Sequence, residues 1–209
     1  MEQHTSTRAQ QTRERIRAAA RRLFLRQGYL ATSMDAILAE ASISSKETLY
    51  RHYTNKEELF ADVLRHLTLQ RPDFSERLTT LPAPHDLPSL RHALTQIARE
   101  ILALMSQPDY LALVRMIIAE APRFPDLGAL FFETVPLTGI SIITALLRQA
   151  REQDIIADVD FDVVARLLLG GLLSYAIPNL VSAEKQLRAA PPDRADALVD
   201  MLMRALTPR

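Results

Sequence analysis

An all-α protein with two domains is the fold that this sequence predicts, and three observations support it. Twelve prolines against five glycines, with few alternating β-branched runs, favour helices separated by proline junctions. Apolar residues recur at helical spacing, and hydrophobic residues make up 48% of the 209-residue chain, enough for a sizeable core. Prolines crowd residues 71–88, where the composition changes, so we place a first domain at 10–70 and a second at 71–209.

The first domain begins with a polar arm to about Thr7, and a helix follows that ends at Gln27. The apolar stripe of that helix consists of Ile16, Ala19, Ala20, Leu23 and Phe24. Gly28 suits a left-handed cap at its end. Further on, Asn55 is the expected N-cap of a helix from Lys56 to about Gln70. The side chains that this helix should bury are Phe60, Val63, Leu64 and Leu67.

The segment between these helices, 33–53, has the pattern of two short helices joined by a tight turn. Ser33 is the expected N-cap of the first, because its hydroxyl can accept a hydrogen bond from the first turn. The turn follows at Ser42. Ser44 is expected to begin the second helix, with Glu47 three residues on, at the spacing of a capping box.

The second short helix has two unlike faces. Leu49 and Tyr53 share one face and should point to the core. The other side chains form a front rich in hydrogen-bond donors and net basic, which suits the major groove of DNA. A surface helical hairpin with a solvated polar face is the alternative.

Charge is uneven along a chain whose formal net charge is zero. Residues 1–56 carry ten Lys and Arg against five Asp and Glu, so their net charge is +5 and that of the remainder is −5. A basic end on an acidic body suits a polyanion approached from one side. The alternative is that these cations are ordinary solvated side chains of a helix.

Several classes of protein are excluded or disfavoured. The chain has no cysteine, which excludes disulfides and thiolate chemistry. It has no uninterrupted run of about 18 apolar residues that would indicate a transmembrane helix, and its polar N-terminus lacks the apolar centre of a signal peptide. No nucleophile, phosphate-loop or dinucleotide motif occurs, and the five histidines lack the spacing of a helical metal site. We therefore expect a cytoplasmic protein with no enzymatic activity, no cofactor or metal, and no membrane partner.

Residues at fixed spacing carry a family resemblance. They are Gly28-Tyr29, Thr32-Ser33, Ile37, Ala39-Glu40-Ala41, Ser44, Thr48-Leu49-Tyr50-Arg51-His52-Tyr53 and Asn55-Lys56-Glu57-Glu58-Leu59. Over roughly residues 10 to 70 the chain resembles the N-terminal DNA-binding domain of the TetR/AcrR family of transcriptional regulators. It departs at Ser42, where the family usually has glycine, and a left-handed residue other than glycine there costs about 1–2 kcal/mol.

The resemblance implies a transcriptional regulator that binds double-stranded DNA sequence-specifically. The residues expected at the DNA are Thr32, Ser33, Ser44, Ser45, Lys46, Glu47, Thr48, Tyr50, Arg51, His52 and Lys56. We expect Ser45, Lys46 and Thr48 at base edges. Lys56 lies in a helix first turn, where phosphates bind well, and the resemblance assigns it that role. Glu47 either completes the capping box or accepts from a cytosine amino group.

Beyond a connector with one short turn near Phe74 to Leu78, the second domain consists of apolar-periodic helices. They are expected at about 89–106, 109–121, 126–134, 137–152, 161–182 and 193–206. Residues 118–127, I-A-E-A-P-R-F-P-D-L, resemble the C-terminal domain of one TetR subgroup.

Two features of the second domain point to self-association. Gly170 and Gly171 interrupt an apolar helix at about 1 kcal/mol each relative to alanine, which is tolerable where another helix approaches closely, and the last helix has an apolar face. Packing within one chain would also explain both. The resemblance favours a homodimer through these two helices, which would hold two recognition helices about 34–36 Å apart on a palindromic operator. The expected interface residues are Val164, Leu167, Leu168, Gly171, Leu198, Met201 and Leu202.

Large apolar side chains of the second domain suit the wall of a small-molecule cavity between helices. The candidates are Met105, Tyr110, Met116, Glu120, Phe131, Phe132 and Tyr175, with Glu120 as a polar anchor. Core packing is the alternative for each of them. We therefore expect a repressor that a small apolar or aromatic molecule releases from its operator. The alternative is a DNA-binding regulator or architectural protein without a small-molecule effector.

Overall fold

The computed structural model describes residues 2–68, 82–181, 191 and 193–207, with side chains from residue 8 onward. Ten helices occur among these residues. They are α1 (Glu2–Gln27), α2 (Met34–Glu40), α3 (Lys46–His52), α4 (Lys56–Leu67), α5 (Leu87–Met105), α6 (Pro108–Glu120), α7 (Pro125–Thr134), α8 (Pro136–Glu152), α9 (Phe161–Val181) and α10 (Arg194–Leu206). No strand occurs in the described ranges, and the all-α class is confirmed.

Most helix boundaries agree with the sequence to within about two residues. Helix α4 ends at Leu67, and its predicted end at about Gln70 lies outside the described residues. The largest difference is at the N-terminus. There the predicted polar arm is wrong, because α1 is helical from Glu2. No proline or glycine occurs before Gly28, so nothing in the backbone chemistry stops a polar helix from extending. The turn predicted near Phe74 to Leu78 lies outside the described residues.

The chain divides into two compact units by its internal contacts. The first contains Met1–Leu67 and Ala112–Thr134, and the second contains Thr68–Leu111 and Val135–Arg209. The first unit therefore ends near the predicted boundary but also takes in a segment from the sequence-defined second domain. The limits 10–70 and 71–209 stay a prediction.

The core of the first unit forms where α1 packs against α2 and α4. The predicted stripe of α1 is buried, with Ile16 and Phe24 at 0% exposure. Phe24, Tyr29 and Phe60 form an aromatic cluster whose ring centroids lie 5.0–5.6 Å apart. Such contacts add to burial of the rings and hold the ends of α1 and α4 together.

In the second unit α5 packs against α9 and α10, and α8 packs against α9. Two ion pairs join α5 to α10: Arg99 to Asp196 at 2.8 Å and Arg91 to Asp200 at 2.5 Å. Gly171 on α9 lies close to α10 within the protomer: a Cβ there would be 2.9 Å from the Leu198 side chain, which would have to shift.

Helix α9 is apolar on both of its long faces. One face, Ala165, Leu168, Leu172 and Ala176, is buried inside the protomer. Leu168 was predicted in the dimer interface, but at 1% exposure it belongs to the protomer core. The opposite face exposes Leu167 and other large apolar side chains. Helical periodicity could not separate these faces, because both are apolar.

Two described stretches, Pro125–Glu152 and Phe161–Val181, are long and apolar enough to cross a membrane by length and composition alone. Polar and charged residues interrupt both stretches, in agreement with the absence of an uninterrupted run of about 18 apolar residues from the sequence.

Candidate nucleic-acid interface

The first helix of the predicted pair begins and ends as local chemistry requires. Ser33 is confirmed as the N-cap of α2, because its Oγ accepts from the Ala36 N–H at 3.1 Å. At the other end, the N–H of Ser42 donates to the Ala39 carbonyl and that of Ile43 to the Leu38 carbonyl. This is a Schellman motif with Ser42 in the left-handed position, at φ 53°.

A side chain from α1 stabilises this turn. Nη2 of Arg15 donates to the carbonyls of Ala41 and Ser42, at 2.8 and 2.9 Å. A guanidinium is favourable at a helix C-terminus, because it satisfies carbonyls left without intrahelical partners. Arg15 thus helps to explain how serine is tolerated where glycine is usual. The sequence analysis missed this role, since 26 residues separate Arg15 from Ala41.

The recognition helix α3 begins one residue later than predicted. Ser45, not Ser44, is its N-cap, and Ser45 Oγ accepts from the Thr48 N–H at 3.3 Å. Thr48 therefore occupies the third helical position that the predicted capping box gave to Glu47. The Glu47 carboxylate instead accepts from Arg51 Nη2 at 3.1 Å. The capping box is wrong because residues 43–45 are needed, in non-helical conformation, to redirect the chain after Ser42.

The back of α3 is anchored in the core. Leu49 and Tyr53 are each 1% exposed, which confirms their predicted direction. The Tyr53 hydroxyl donates to Asp62 Oδ2 at 2.5 Å. Arg13 and Arg17 of α1 also donate to this carboxylate, at 3.1 and 3.4 Å. Asp62 therefore joins α1, the end of α3 and α4, a role that sequence periodicity did not indicate.

Burial and the neighbouring positive charges act in opposite directions on the pKa of Asp62. Burial alone would raise the pKa of Asp62, but the Tyr53 hydroxyl and the neighbouring Arg13 and Arg17 outweigh it, and the pKa lies below its usual range. Burial, followed by the hydrogen bond to Asp62, raises the pKa of Tyr53 to about 12. At neutral pH the carboxylate is ionised and the phenol keeps its proton.

The front of α3 stays accessible. Ser44, Lys46, Glu47, Tyr50 and Arg51 are exposed. Ser45, Thr48 and His52 are half-buried. The pKa of His52 is lowered, first by burial and then by the charges of Arg13 and Arg51. The structure thus brings the predicted base-reading residues to one accessible helix, with their contacts to DNA left as a prediction.

Lys46, the central base-reading candidate, is paired in this structure. Its Nζ lies 2.7 Å from Asp35 Oδ1 on α2. The hydrogen bond from this ammonium to Asp35 raises the pKa of Lys46. Both side chains are about two-thirds exposed, 64% and 65%. Water screens such a pair, so a base edge can replace the carboxylate at little cost.

Lys56 is held at the first turn of α4. Its Nζ donates to the carbonyls of Tyr29 and Thr32, both at 3.0 Å, and lies 4.2 Å from the centroid of the Tyr29 ring. Burial lowers the pKa of this ammonium. Thr32 itself is 1% exposed, and its hydroxyl donates to the Gly28 carbonyl at 2.7 Å. In this structure the Thr32 side chain supports the loop, and its expected place at the DNA stays a prediction.

Many cations of the basic segment are paired within the first unit. Arg22 and Arg26 lie 2.8 and 3.9 Å from the Glu40 carboxylate, and Arg13 and Arg17 contact Asp62. These arginines stabilise the unit as well as adding positive charge. The sequence analysis had considered only steering of a polyanion and plain solvation.

The predicted ligand residues fall in different units. Met105, Tyr110 and Tyr175 belong to the second; Met116, Glu120, Phe131 and Phe132 belong to the first. Met105 and Tyr110 are buried, and burial raises the pKa of Tyr110 to about 12. A cavity of about 280 Å³ in the first unit is lined by residues of α1 and α4 and by none of the predicted set.

Glu120 has a definite role in the first unit. Its two carboxylate oxygens accept from the backbone N–H groups of Tyr29 and Leu30, at 3.1 and 3.0 Å. The predicted ligand anchor is thus engaged with the loop before α2. No sequence pattern could find this contact, because 91 residues separate Glu120 from Tyr29.

Two family descriptions match this chain. Residues 16–63 match "Bacterial regulatory proteins, tetR family", and residues 92–207 match "AefR-like transcriptional repressor, C-terminal domain". The HTH-type transcriptional regulator UidR of Escherichia coli (strain K12) is 30% identical over 193 residues, which cover 91% of both chains.

Solved structures resemble this one along almost the whole chain. A TetR-family transcriptional regulator from Mesorhizobium loti superposes with a TM-score of 0.74 at 28% identity, covering 96% of this chain and 99% of the other. The flavonoid-responsive regulator FrrA superposes with a TM-score of 0.69 at 31% identity, covering 95% and 98%.

Proposed function

This chain belongs to the TetR family of DNA-binding transcriptional regulators, and from that premise we propose that it is a cytoplasmic repressor. The repressor binds a palindromic operator as a homodimer and leaves it when a small apolar or aromatic molecule binds. The observation that carries the proposal is α3, with its accessible donors in front and Leu49 and Tyr53 buried behind. Family members are regulators rather than enzymes, as the sequence predicted.

Ser45, Lys46 and Thr48 are proposed to read base edges. Ser33, Tyr50, His52 and Lys56 are proposed to contact phosphates. At seven residues α3 is about 10 Å long and can cover only about three base pairs. Two copies are therefore needed for a specific site, which favours a dimer on a palindrome.

The exposed face of α9 supports the dimer. Val163, Leu167 and Ile177 are 48–60% exposed on one side of the helix, and Met201 on α10 is 69% exposed. Gly170 lies on the same side, and a Cβ there would meet nothing within 4 Å. Large apolar side chains grouped on an exposed helix face often mark a protein–protein interaction site. A second copy of α9 would cover it, which also accounts for the membrane-like composition of Phe161–Val181.

The effector part of the proposal is supported by the relatives. The flavonoid-responsive regulator FrrA is similar to this chain over most of its length. A planar aromatic molecule of that class is the first one to test. The buried Met105 and Tyr110 are suitable contacts for an aromatic ring in the second unit.

The test begins with selection of duplexes from a random library by the full-length protein. A palindromic site is expected. Lys46→Ala should change the preferred sequence, whereas Lys56→Ala should weaken all duplexes alike and reduce the salt slope by about one unit per protomer. Arg148→Ala, which removes an exposed cation of α8, is the control. No sequence preference, or equal sequence-blind losses from both lysine variants, would contradict the proposal.

Flavonoids and other aromatic compounds can then be screened for release of the selected duplex. By linkage, a true effector must bind more weakly to the DNA complex by the same factor by which it weakens DNA binding. A compound that binds equally well with and without DNA is not the effector. If none releases the DNA, the protein is a regulator without a small-molecule effector.

A further inference from the structure

We propose that Glu120 is a positioning residue for DNA binding, because its carboxylate holds the loop that in turn holds Lys56. The inference rests on the proposed DNA-binding function and names a further residue for it. Glu120 lies in the segment matched by the C-terminal family description, 92–207, and not in the helix-turn-helix segment. The loop is residues 28–32, between α1 and α2.

The carboxylate fits this loop closely. One oxygen accepts from the Tyr29 N–H at 3.1 Å and the other from the Leu30 N–H at 3.0 Å. Hydrogen bonds to an ionised acceptor are about twice as strong as neutral ones. Gly28 makes this approach possible, because a Cβ at that position would overlap Oε1 of Glu120. Gly28 also has φ 86°, where an L side chain is strained.

A second charged side chain, that of Lys56, binds the same loop. The carbonyls of Tyr29 and Thr32 accept from Lys56 Nζ, each at 3.0 Å. The Tyr29 hydroxyl donates to Glu57 at 3.0 Å, on the same helix as Lys56. Both the N–H and the carbonyl of Tyr29 are therefore bonded to ionised side chains, so displacement of the loop moves the acceptors that orient the Lys56 ammonium.

This arrangement links Glu120 to phosphate binding. An ammonium has three N–H donors, and two of those on Lys56 are engaged among the described residues, which leaves one for a phosphate at the α4 first turn. Without Glu120, the Tyr29 and Leu30 N–H groups lose their acceptors and the loop loses its position. Base reading by α3 does not use these contacts. Loss of Glu120 should therefore reduce affinity and salt dependence but leave sequence preference unchanged.

The test is a double-mutant cycle in the full-length protein with the selected duplex. Glu120→Gln keeps the side-chain shape but replaces one acceptor with a donor. We expect it to reduce the salt slope by about one unit per protomer, as Lys56→Ala does. The double variant should bind within about twofold of Lys56→Ala alone. Losses that multiply in the double variant, a wild-type salt slope for Glu120→Gln, or a changed order of preferred duplexes would overturn the proposal. Glu133→Gln, an exposed glutamate in the same unit, is the control.

A second measurement needs no DNA. Amide hydrogen exchange at Tyr29 and Leu30 should be faster in Glu120→Gln than in the wild type or Glu133→Gln, and unchanged exchange would overturn the proposed contact. Glu120→Asp, which keeps the charge on a shorter side chain, should show the same signature if the glutamine variant does not fold. Wild-type protein that selects no duplex would instead refute the proposed function, with the exchange result still deciding whether Glu120 holds the loop.

Discussion

Replacement of the buried Asp62 by asparagine is expected to lower the free energy of unfolding by about 3–5 kcal/mol. The Asp62 side chain is 3% exposed and lies 3.1 Å from Arg13, 3.4 Å from Arg17 and 3.9 Å from Arg65. It also accepts from the Tyr53 hydroxyl at 2.5 Å. Asparagine keeps the shape but removes the negative charge on which these groups converge.

The magnitude comes mainly from the groups that cannot reach water. Arg13 has a side chain that is 50% exposed and can be solvated, but the Arg17 side chain is only 15% exposed. An uncompensated buried charge accounts for most of the about 3–5 kcal/mol. The Tyr53 hydroxyl keeps a weaker, neutral acceptor, a loss of about 1 kcal/mol.

The assay is urea denaturation of the full-length protein, with all variants at the same protein concentration. Glu40→Gln is the control, because its partner Arg22 is 55% exposed and water can replace the ion pair. The control should change the midpoint far less than Asp62→Asn, with unchanged slopes. If the two variants lost the same stability, the assignment of Asp62 as the buried charge centre of the first unit would be refuted.

The effect also has a predictable pH dependence. The folded-state pKa of Asp62 is depressed, since hydrogen bonding and positive charge outweigh burial. Its contribution is therefore fully present above the unfolded pKa of about 3.9 and is lost as the pH falls through the lower folded pKa. The stability difference between wild type and Asp62→Asn should be constant from about pH 7 to 5 and shrink below about pH 4. A difference that persists unchanged in acid would contradict this.

Four other variants test the turn, the histidine that we propose to contact DNA and the proposed dimer. Ser42→Gly should raise the free energy of unfolding by about 1 kcal/mol, because φ is 53° there, and Arg15→Ala should lower it; a destabilised glycine variant would contradict the strain argument. In the free protein, burial and the charges of Arg13 and Arg51 lower the pKa of His52. A bound phosphate would raise that pKa, so affinity for the selected duplex should increase as the pH falls from about 7.5 to about 6. Fluorescence anisotropy should show that His52→Gln removes this rise. Leu167→Glu should give monomers in sedimentation with unchanged helicity, because that side chain is 60% exposed in the protomer; a dimer would exclude this face of α9, and Gln149→Glu on α8 is the control.

Helix ends were predicted well where a single residue caps the helix through contacts with residues close to it in sequence. Ser33 and Asn55 accept from N–H groups three residues away, and Gly28 has the predicted positive φ. The start of α3 was wrong by one residue, because Ser44 and Ser45 are equally good caps by composition. The turn at Ser42 determines which of them is placed to accept from the first turn.

Packing faces were predictable only where a helix is amphipathic. Leu49 and Tyr53 were assigned correctly because the rest of α3 is polar. The sequence did not distinguish Leu167 from Leu168 on α9, because both faces of this helix are apolar and only packing against other helices decides which one is buried. One is 60% exposed in the protomer and the other 1%.

The sequence by itself determined the all-α class, the helices, the family and the donor-rich front of α3, because helical periodicity, caps and family motifs act over short stretches of chain. Only the tertiary structure decided the partners of several charged side chains. Arg15 contacts Ala41 across 26 residues, Arg13 contacts Asp62 across 49, and Glu120 contacts Tyr29 across 91. A contact of this kind depends on which helix faces meet and how deeply they are buried, and that information exists only after the helices have packed.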